Sequence, residues 1–369
     1  MVLYVYNINF LNFRYCGDDY INMGDIVQER KQKWIDLYNN KINCVVLIGQ
    51  DCGPRPWPYP ENKEKRIEYS LHSYRTYLDS MQYVDDDRVP FLNPYTGTEI
   101  FAQAFGCRVH YYGNDMPCAL PFIHSPKELS KIKYPELKNS SVMELFNIAD
   151  KMKESEPDAL LALPDIQSPL DIAALIWNKE DFFTSMYDDP EAVKELISMT
   201  EKFLIEFLDL WFERYGKDFI AHYPDYYMPY GVTLSEDEVG AISSGMFREF
   251  SLESLNRLSR RYGMIGMHCC ANSIHQWENF KAIENLKVLN IAQGHEICQK
   301  AYVYFKDACV QMHGANIDDT IIENIEKAGK VEIKNIRIII HDYAETIDIA
   351  AEKSKSWRNW EEKIYKKLT

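Results

Sequence analysis

The run Met267-His268-Cys269-Cys270 closes a short apolar stretch that begins at Met264. The stretch reads as a buried strand, and side chains alternate faces along a strand. His268 and Cys270 therefore share one face, and Cys269 points the other way. An imidazole beside a thiolate is half of a zinc site, and a catalytic zinc takes three protein ligands so that one position stays open. Cys298, Cys309, His313 and His341 each have the chemistry to supply the third. None stands in a recognisable ligand spacing, so the residues leave that choice open. The plainer reading is a buried cysteine beside a structural histidine.

The elements that must position this pair recur from residue 44 onward as apolar strand, polar turn and amphipathic helix. Strands are expected over 44–49, 89–95, 159–166, 219–223, 264–270, 287–292, 309–314 and 336–342. Helices are expected over 62–81, 141–154, 190–215, 244–262, 274–286, 296–308, 318–328 and 346–368. Asp189-Pro190-Glu191 gives an N-cap, a proline at the first helical position and an acid in the first turn. Gly216, Gly263 and Gly329 follow helix ends. Eight strands alternating with helices predict an α/β fold, a parallel (β/α)8 barrel. An open doubly wound sheet is the rival, but the first strand lacks the glycine-rich phosphate fingerprint. Residues 96–158 read as an insertion between strands two and three, with an extra extended piece over 107–112.

Barrel sites form at the C-terminal ends of the strands. There the sequence places Gln50, Asp51 and Cys52, then Asn93, then Asp165 and Gln167, then His222 and Asp225. His268 and Cys270 follow, then Gln293 and His295, His313, and finally His341 and Asp342. Histidine suits metal ligation and proton transfer near neutral pH. Taken one by one, these histidines also suit a hydrogen-bonded place in the rim. The run Thr233-Leu234-Ser235-Glu236-Asp237-Glu238 follows strand four. Ordinary first-turn charges explain it, and its place beside the mouth makes Asp237 or Glu236 a substrate or proton-transfer residue.

The chain of 369 residues is 46% hydrophobic and 26% charged, as soluble globular proteins are. Its 25 tyrosines are read mainly as core. A net charge of −15 and the lack of a basic, aromatic-interleaved cluster disfavour nucleic acid as a partner. Nine scattered cysteines without a CxxC pair fit free thiols in a reducing cytosol. No apolar run approaches the ~20 residues of a membrane span. Residues 1–13 are apolar but lack a basic start and a small-residue cleavage site. Met23 precedes a helix-like run, so residues 1–22 read as an extension and 23–369 as one barrel domain.

The stretch 231–291 resembles the uroporphyrinogen decarboxylase superfamily, and within it the corrinoid-dependent methyltransferase branch. The matching text is Gly-Val-Thr-Leu-Ser-Glu-Asp at 231–237, Ile-Ser-Ser-Gly-Met-Phe-Arg-Glu-Phe at 242–250, His-Cys-Cys-Ala-Asn at 268–272 and Lys-Val-Leu-Asn-Ile at 287–291. Asp165 to Ala173, Tyr187 to Glu191, and Phe105-Gly106-Cys107 with 121–134 are similar to further pieces of the family. The likeness spans roughly residues 90–350 and implies a barrel with its site in the mouth.

Two departures bear on function. Haem-pathway decarboxylases carry Arg-Gln-Ala-Gly-Arg-Tyr after the first strand to grip carboxylates, whereas this chain has Arg55 as the nearby base. The zinc methyltransferases add a distant cysteine near strand eight, where this chain has His341-Asp342. The resemblance therefore implies zinc held by His268, Cys270 and His341. It also implies an enzyme moving a methyl group between a methyl-corrinoid, carried by a corrinoid-binding protein, and a small thiol. Asp237 and Asp165 become the catalytic residues, with Gln167, Asn93, His222 and Arg55 on the substrate. The rivals are a metal-free decarboxylase using Asp165 and Arg55, and a non-catalytic corrinoid-binding or small-molecule-binding barrel. A cytoplasmic location is expected, and a homodimer is compatible with the family.

Overall fold

The computed structural model describes residues 13–16, 19–314 and 335–366. Residues 1–12, the expected helix over 318–328 and Gly329 lie outside the described residues. Six parallel strands form one continuous sheet, in the order Val232–Ser235, Ile265–Cys269, Leu286–Ile291, Val310–Gln311, Ile338–Ala344 and Cys44–Gln50. The last strand in the chain thus lies beside the first, with Ile338 opposite Cys44 and Ala344 opposite Gln50. That adjacency is what a barrel requires and an open doubly wound sheet does not.

The other side of the ring is held by shorter pairings. Phe91–Leu92, in the second strand, pairs in parallel with Leu160–Leu161, in the third. Bridges Ala162 to Ile220 and Gln167 to Ser235 join the third strand to the fourth. Between strands one and two, the Asp87 N–H donates to the Val46 carbonyl at 2.7 Å. Here side chains replace a ladder: Asp87 accepts the Val46 N–H at 2.8 Å, and Asp86 accepts that of Ile48 at 3.1 Å. Both carboxylates are buried, which is costly unless a cation meets them. Arg30 meets Asp86 at 2.8 Å, and Arg358 and Lys33 meet Asp87 at 2.6 and 2.9 Å. The first helix, Met23–Tyr38, and the last, Ile347–Lys366, are thereby tied to the first strand. The fold is the expected α/β (β/α)8 barrel, irregular along strands two to four.

Alternation along the strands divides the core. Val45, Leu47 and Ile339 join the main apolar cluster. Cys44, Val46, Ile48, Ile338 and Ile340 face a second cluster with Ala350, against which Trp357 and Trp360 pack. The helix Pro190–Tyr215 begins where Asp189 accepts the Ala192 N–H and ends at Gly216, with φ +94°. Among the described residues, no helix is long and apolar enough to cross a membrane.

The structure corrects several expectations. The fourth strand is not 219–223 but two pieces, Phe219–Ile220 and Val232–Ser235. Thr233 to Ser235 are therefore strand residues and do not follow the strand. Pro224 and Pro229 lie in the intervening segment and cannot donate to a ladder. The chain leaves the sheet there and re-enters at Gly231, where φ is +107° and a Cβ would stand 2.6 Å from the Met264 carbonyl. The helix expected over 274–286 stops at Lys281, and residue 286 already begins a strand. The helix expected over 244–262 contains a wider turn at Arg248–Leu252. Helices Pro169–Ile176 and Lys179–Asp188 were not expected. In the insertion, Arg108–His110 pairs antiparallel with Cys118–Leu120.

Candidate functional site

His268 is the fourth residue of the strand Ile265–Cys269, and Cys270 follows its end. Cys269 is fully buried and its thiol packs against Ser273, while Cys270 is exposed. The alternation expected for the three residues is present. Asp237 approaches from the loop after the fourth strand, and its carboxylate accepts the Cys270 N–H at 2.5 Å. The donor atoms of Asp237, His268 and Cys270 all lie within 4.8 Å of one another. Among the described residues this is the group of three whose donor atoms converge in that way.

The surroundings fix what each donor offers. The amide nitrogen of Asn290 donates to the Met312 carbonyl, so its Oδ1 must face the other way. Oδ1 lies 2.5 Å from His268 Nδ1, which therefore carries the proton. The lone pair is left on Nε2. Burial, against the opposing Asp237 charge and Asn290 hydrogen bond, pushes the His268 imidazole below its ordinary pKa, so it stays neutral, as a ligand must be. Burial, followed by the Asp237 charge, pushes the Cys270 thiol up to about 12. Without a cation beside it, that sulfur stays protonated.

Asp237 is itself held from behind. The backbone N–H groups of Asp237 and Glu238 donate to the Asp171 carboxylate at 2.6 and 3.1 Å. Asp171 belongs to the unexpected helix Pro169–Ile176 and is 3% exposed. Glu236 is fully buried, accepts from the Ser251 hydroxyl at 2.9 Å, and is pushed up to about 8 by burial. Glu236 therefore belongs to the core rather than to substrate.

A second group faces this one. Asp165 lies 3.1 Å from His222 Nε2 and accepts from the Gln167 amide at 2.9 Å. The Ser235 hydroxyl is 3.4 Å from the same His222 nitrogen. Burial opposes the charge on Asp165, but His222 and Gln167 outweigh it, and the carboxyl sits below its usual range. A proton on Nε2 faces the carboxylate, while His222 Nδ1 is buried without a hydrogen-bond partner. The Tyr223 ring stands edge-on to His268, with centroids 5.1 Å apart. Such a carboxylate–imidazole pair can take up a proton.

Other expected residues lie elsewhere. Arg55 stacks on Tyr95 at 4.4 Å and, with Asn93, lines a separate tyrosine-walled cavity of about 90 Å³. Ligand pockets usually exceed about 300 Å³, so this one cannot enclose a tetrapyrrole. Asn93 Oδ1 accepts the Tyr95 N–H and so shapes the local turn. His341 is not among the converging donors. It stands beside Gly49, within the fields of Arg88 and Asp225, and burial pushes it down to about 4. Asp237, not the expected His341, is the third donor that converges with His268 and Cys270. His313 is a core residue, with Nδ1 accepting the Ile291 N–H and Nε2 bonded to Gln311. Cys298 and Cys309 are buried thiols outside the cluster.

Asn290, Asp171, Ser235 and Tyr223 were missed as site residues. A signal existed for Asn290, since it is a lone amide among Val288, Leu289 and Ile291 in a buried strand. Asp171 gave none, because an acid in the first turn of a helix is ordinary.

Comparison with known proteins agrees with this architecture. A solved methyltransferase from Methanosarcina mazei is similar in fold, with a TM-score of 0.61 and 11% identity over 91% of this chain and 99% of that one. No curated protein matches. The sequence model of the uroporphyrinogen decarboxylase (URO-D) family matches residues 92–324, more than half of the chain. On that match the chain belongs to the uroporphyrinogen decarboxylase family.

Proposed function

We propose that this barrel is a zinc-dependent methyltransferase, moving a methyl group from a methyl-corrinoid to a small thiol. The observation that carries the reading is the convergence of Asp237, His268 and Cys270, with Asn290 leaving His268 Nε2 bare. Nitrogen, sulfur and carboxylate oxygen are the donors zinc accepts, and three of them leave one position for a substrate. Bound there, zinc would supply the positive charge that lowers the pKa of an incoming thiol.

The protein's own residues do the rest. His268, Cys270 and Asp237 would hold the zinc against which the reacting sulfur is positioned, and Asp171 keeps the Asp237 loop from drifting. His222, oriented by Asp165, takes the thiol proton on Nδ1. The sulfur lone pair forms the S–C bond, and the electron pair of the breaking Co–C bond stays on cobalt. The methyl-corrinoid would be delivered by a separate corrinoid-binding protein docked over the mouth.

Metal analysis of protein purified without chelators tests the proposal. About one zinc per chain is expected, and it is lost in the His268→Ala/Cys270→Ala double variant. A wild type without zinc, or a double variant that keeps it, would sink the reading.

A further inference from the structure

The strand Ile265–Cys269 lies between Val232–Ser235 and Leu286–Ile291, and both ladders run out just before Cys270. On one side the ladder reaches the His268 carbonyl, which accepts the Glu236 N–H at 2.9 Å. On the other it reaches the Cys269 carbonyl, which accepts the Ala292 N–H at 3.0 Å. Beyond these rungs, side chains serve the backbone of Cys270. The Asp237 carboxylate accepts the Cys270 N–H, and the Gln293 side chain donates to the Cys270 carbonyl, each at 2.5 Å. A carbonyl only accepts, so the amide nitrogen of Gln293 faces it. The N–H belongs to the peptide plane before Cys270 and the carbonyl to the plane after it. Holding both planes fixes both backbone dihedrals of this residue, and with them the direction of its Cα–Cβ bond. Cys270 is exposed at a strand end, where backbone frays unless it is held.

Gln293 is itself braced. The Cys298 thiol, 1% exposed, donates to the Gln293 backbone carbonyl at 3.1 Å. Gly314 closes on the same spot with φ +64°, where a Cβ would stand 2.9 Å from Cys298 Sγ and 3.5 Å from that carbonyl oxygen. We infer that Gln293 is a positioning residue for the metal. It clamps the Cys270 backbone opposite Asp237, and Cys298 is its brace. The inference rests on the zinc reading and deepens it. Two bonds on one backbone aim the Cys270 sulfur at the place where it meets His268 and Asp237. Without the Gln293 donor, the peptide after Cys270 turns freely and the sulfur loses its aim. Cys298, whose thiol lies outside the converging donors, thus acts on the site through Gln293 and not as a ligand.

Cobalt(II) titration of the full chain, freed of metal, tests this, because a thiolate bound to cobalt absorbs in the near ultraviolet. Gln293→Met keeps the length of the side chain and removes the donor. It is expected to bind cobalt about tenfold more weakly than the wild type. Its thiolate band should weaken too, while the melting temperature of the metal-free chain stays as it is. Cys298→Ala should shift affinity in the same direction, and Cys298→Ser, whose hydroxyl can donate in place of the thiol, should restore it. A Gln293→Met variant that matches the wild type in affinity and band overturns the inference and leaves the zinc reading standing. Should that variant not fold, the Cys298 pair decides, and equal affinity of Cys298→Ala and the wild type overturns the inference. A wild type that takes up no cobalt overturns the zinc reading, and the inference with it.

Discussion

Asn290 Oδ1 lies 2.5 Å from His268 Nδ1, and the opposite end of the same amide is bonded to the Met312 carbonyl. One buried side chain thereby decides which imidazole nitrogen can bind a metal. Removing such a partner commonly costs 10–100-fold in affinity. Asn290→Ala is expected to weaken zinc binding by about that factor, read by competition with a chromophoric chelator. Unchanged affinity would show that the orientation of His268 does not depend on Asn290.

On the proposed zinc reading, Asp237 rather than His341 is placed to be the third ligand, since its carboxylate converges with His268 and Cys270. Asp237→Asn retains an oxygen for the Cys270 N–H but loses the charge. It should lower zinc affinity by an order of magnitude or more, with little change in melting temperature. His341→Ala should leave zinc stoichiometry as it is. The reverse pattern in metal analysis would return the role to His341.

Stability should fall on both sides of neutrality, for different reasons. Burial pushes His313 down to about 3, and both of its nitrogens are engaged as a neutral ring. Its folded pKa lies below the ordinary 6.5. Its contribution is therefore full above pH 6.5 and is lost as pH falls towards 3. Glu236 behaves oppositely: its contribution is full below its ordinary 4.5 and is lost as pH rises through about 8. Melting temperature against pH should therefore decline towards both ends. His313→Asn should flatten the acid limb, and Glu236→Gln the alkaline one. A limb that keeps its slope in its variant excludes that residue as the cause.

The detour in the fourth strand leaves a packing signature. A Cβ on Gly266 would stand 2.0 Å from the Tyr226 hydroxyl and 2.9 Å from Thr233 Cγ2. Tyr226 is buried, so neither group can move aside freely. Gly266→Ala is expected to cost about 1–3 kcal/mol in denaturant unfolding, and adding Tyr226→Phe should recover part of it. A neutral Gly266→Ala would mean that the detour is not packed against the fifth strand.

The expected strands at 44–49, 264–270, 287–292 and 336–342 needed little correction. Each is a mostly apolar run bounded by polar turns, and each lies in the regular part of the sheet. Strands two to four were harder to read. Their pairing partners include carboxylates, isolated bridges and a segment broken by two prolines, none of which leaves a period in the sequence. The short helix Pro169–Ile176 escaped notice because seven of its eight residues are buried. A helix apolar all round has no polar face to reveal its period.

The sequence by itself determined the donors His268 and Cys270, because strand alternation is a local property. It also determined the barrel, because eight strand–helix units can close in few ways. Only the tertiary structure decided the third donor, the tautomer of His268 and the facing Asp165–His222 pair. Asp237, Asn290, Asp171 and His222 reach the site from separate strands, loops and helices. Spacing along the chain says nothing about distances across a barrel mouth, so the donors His268 and Cys270 met Asp237 only when the fourth and fifth strands lay side by side.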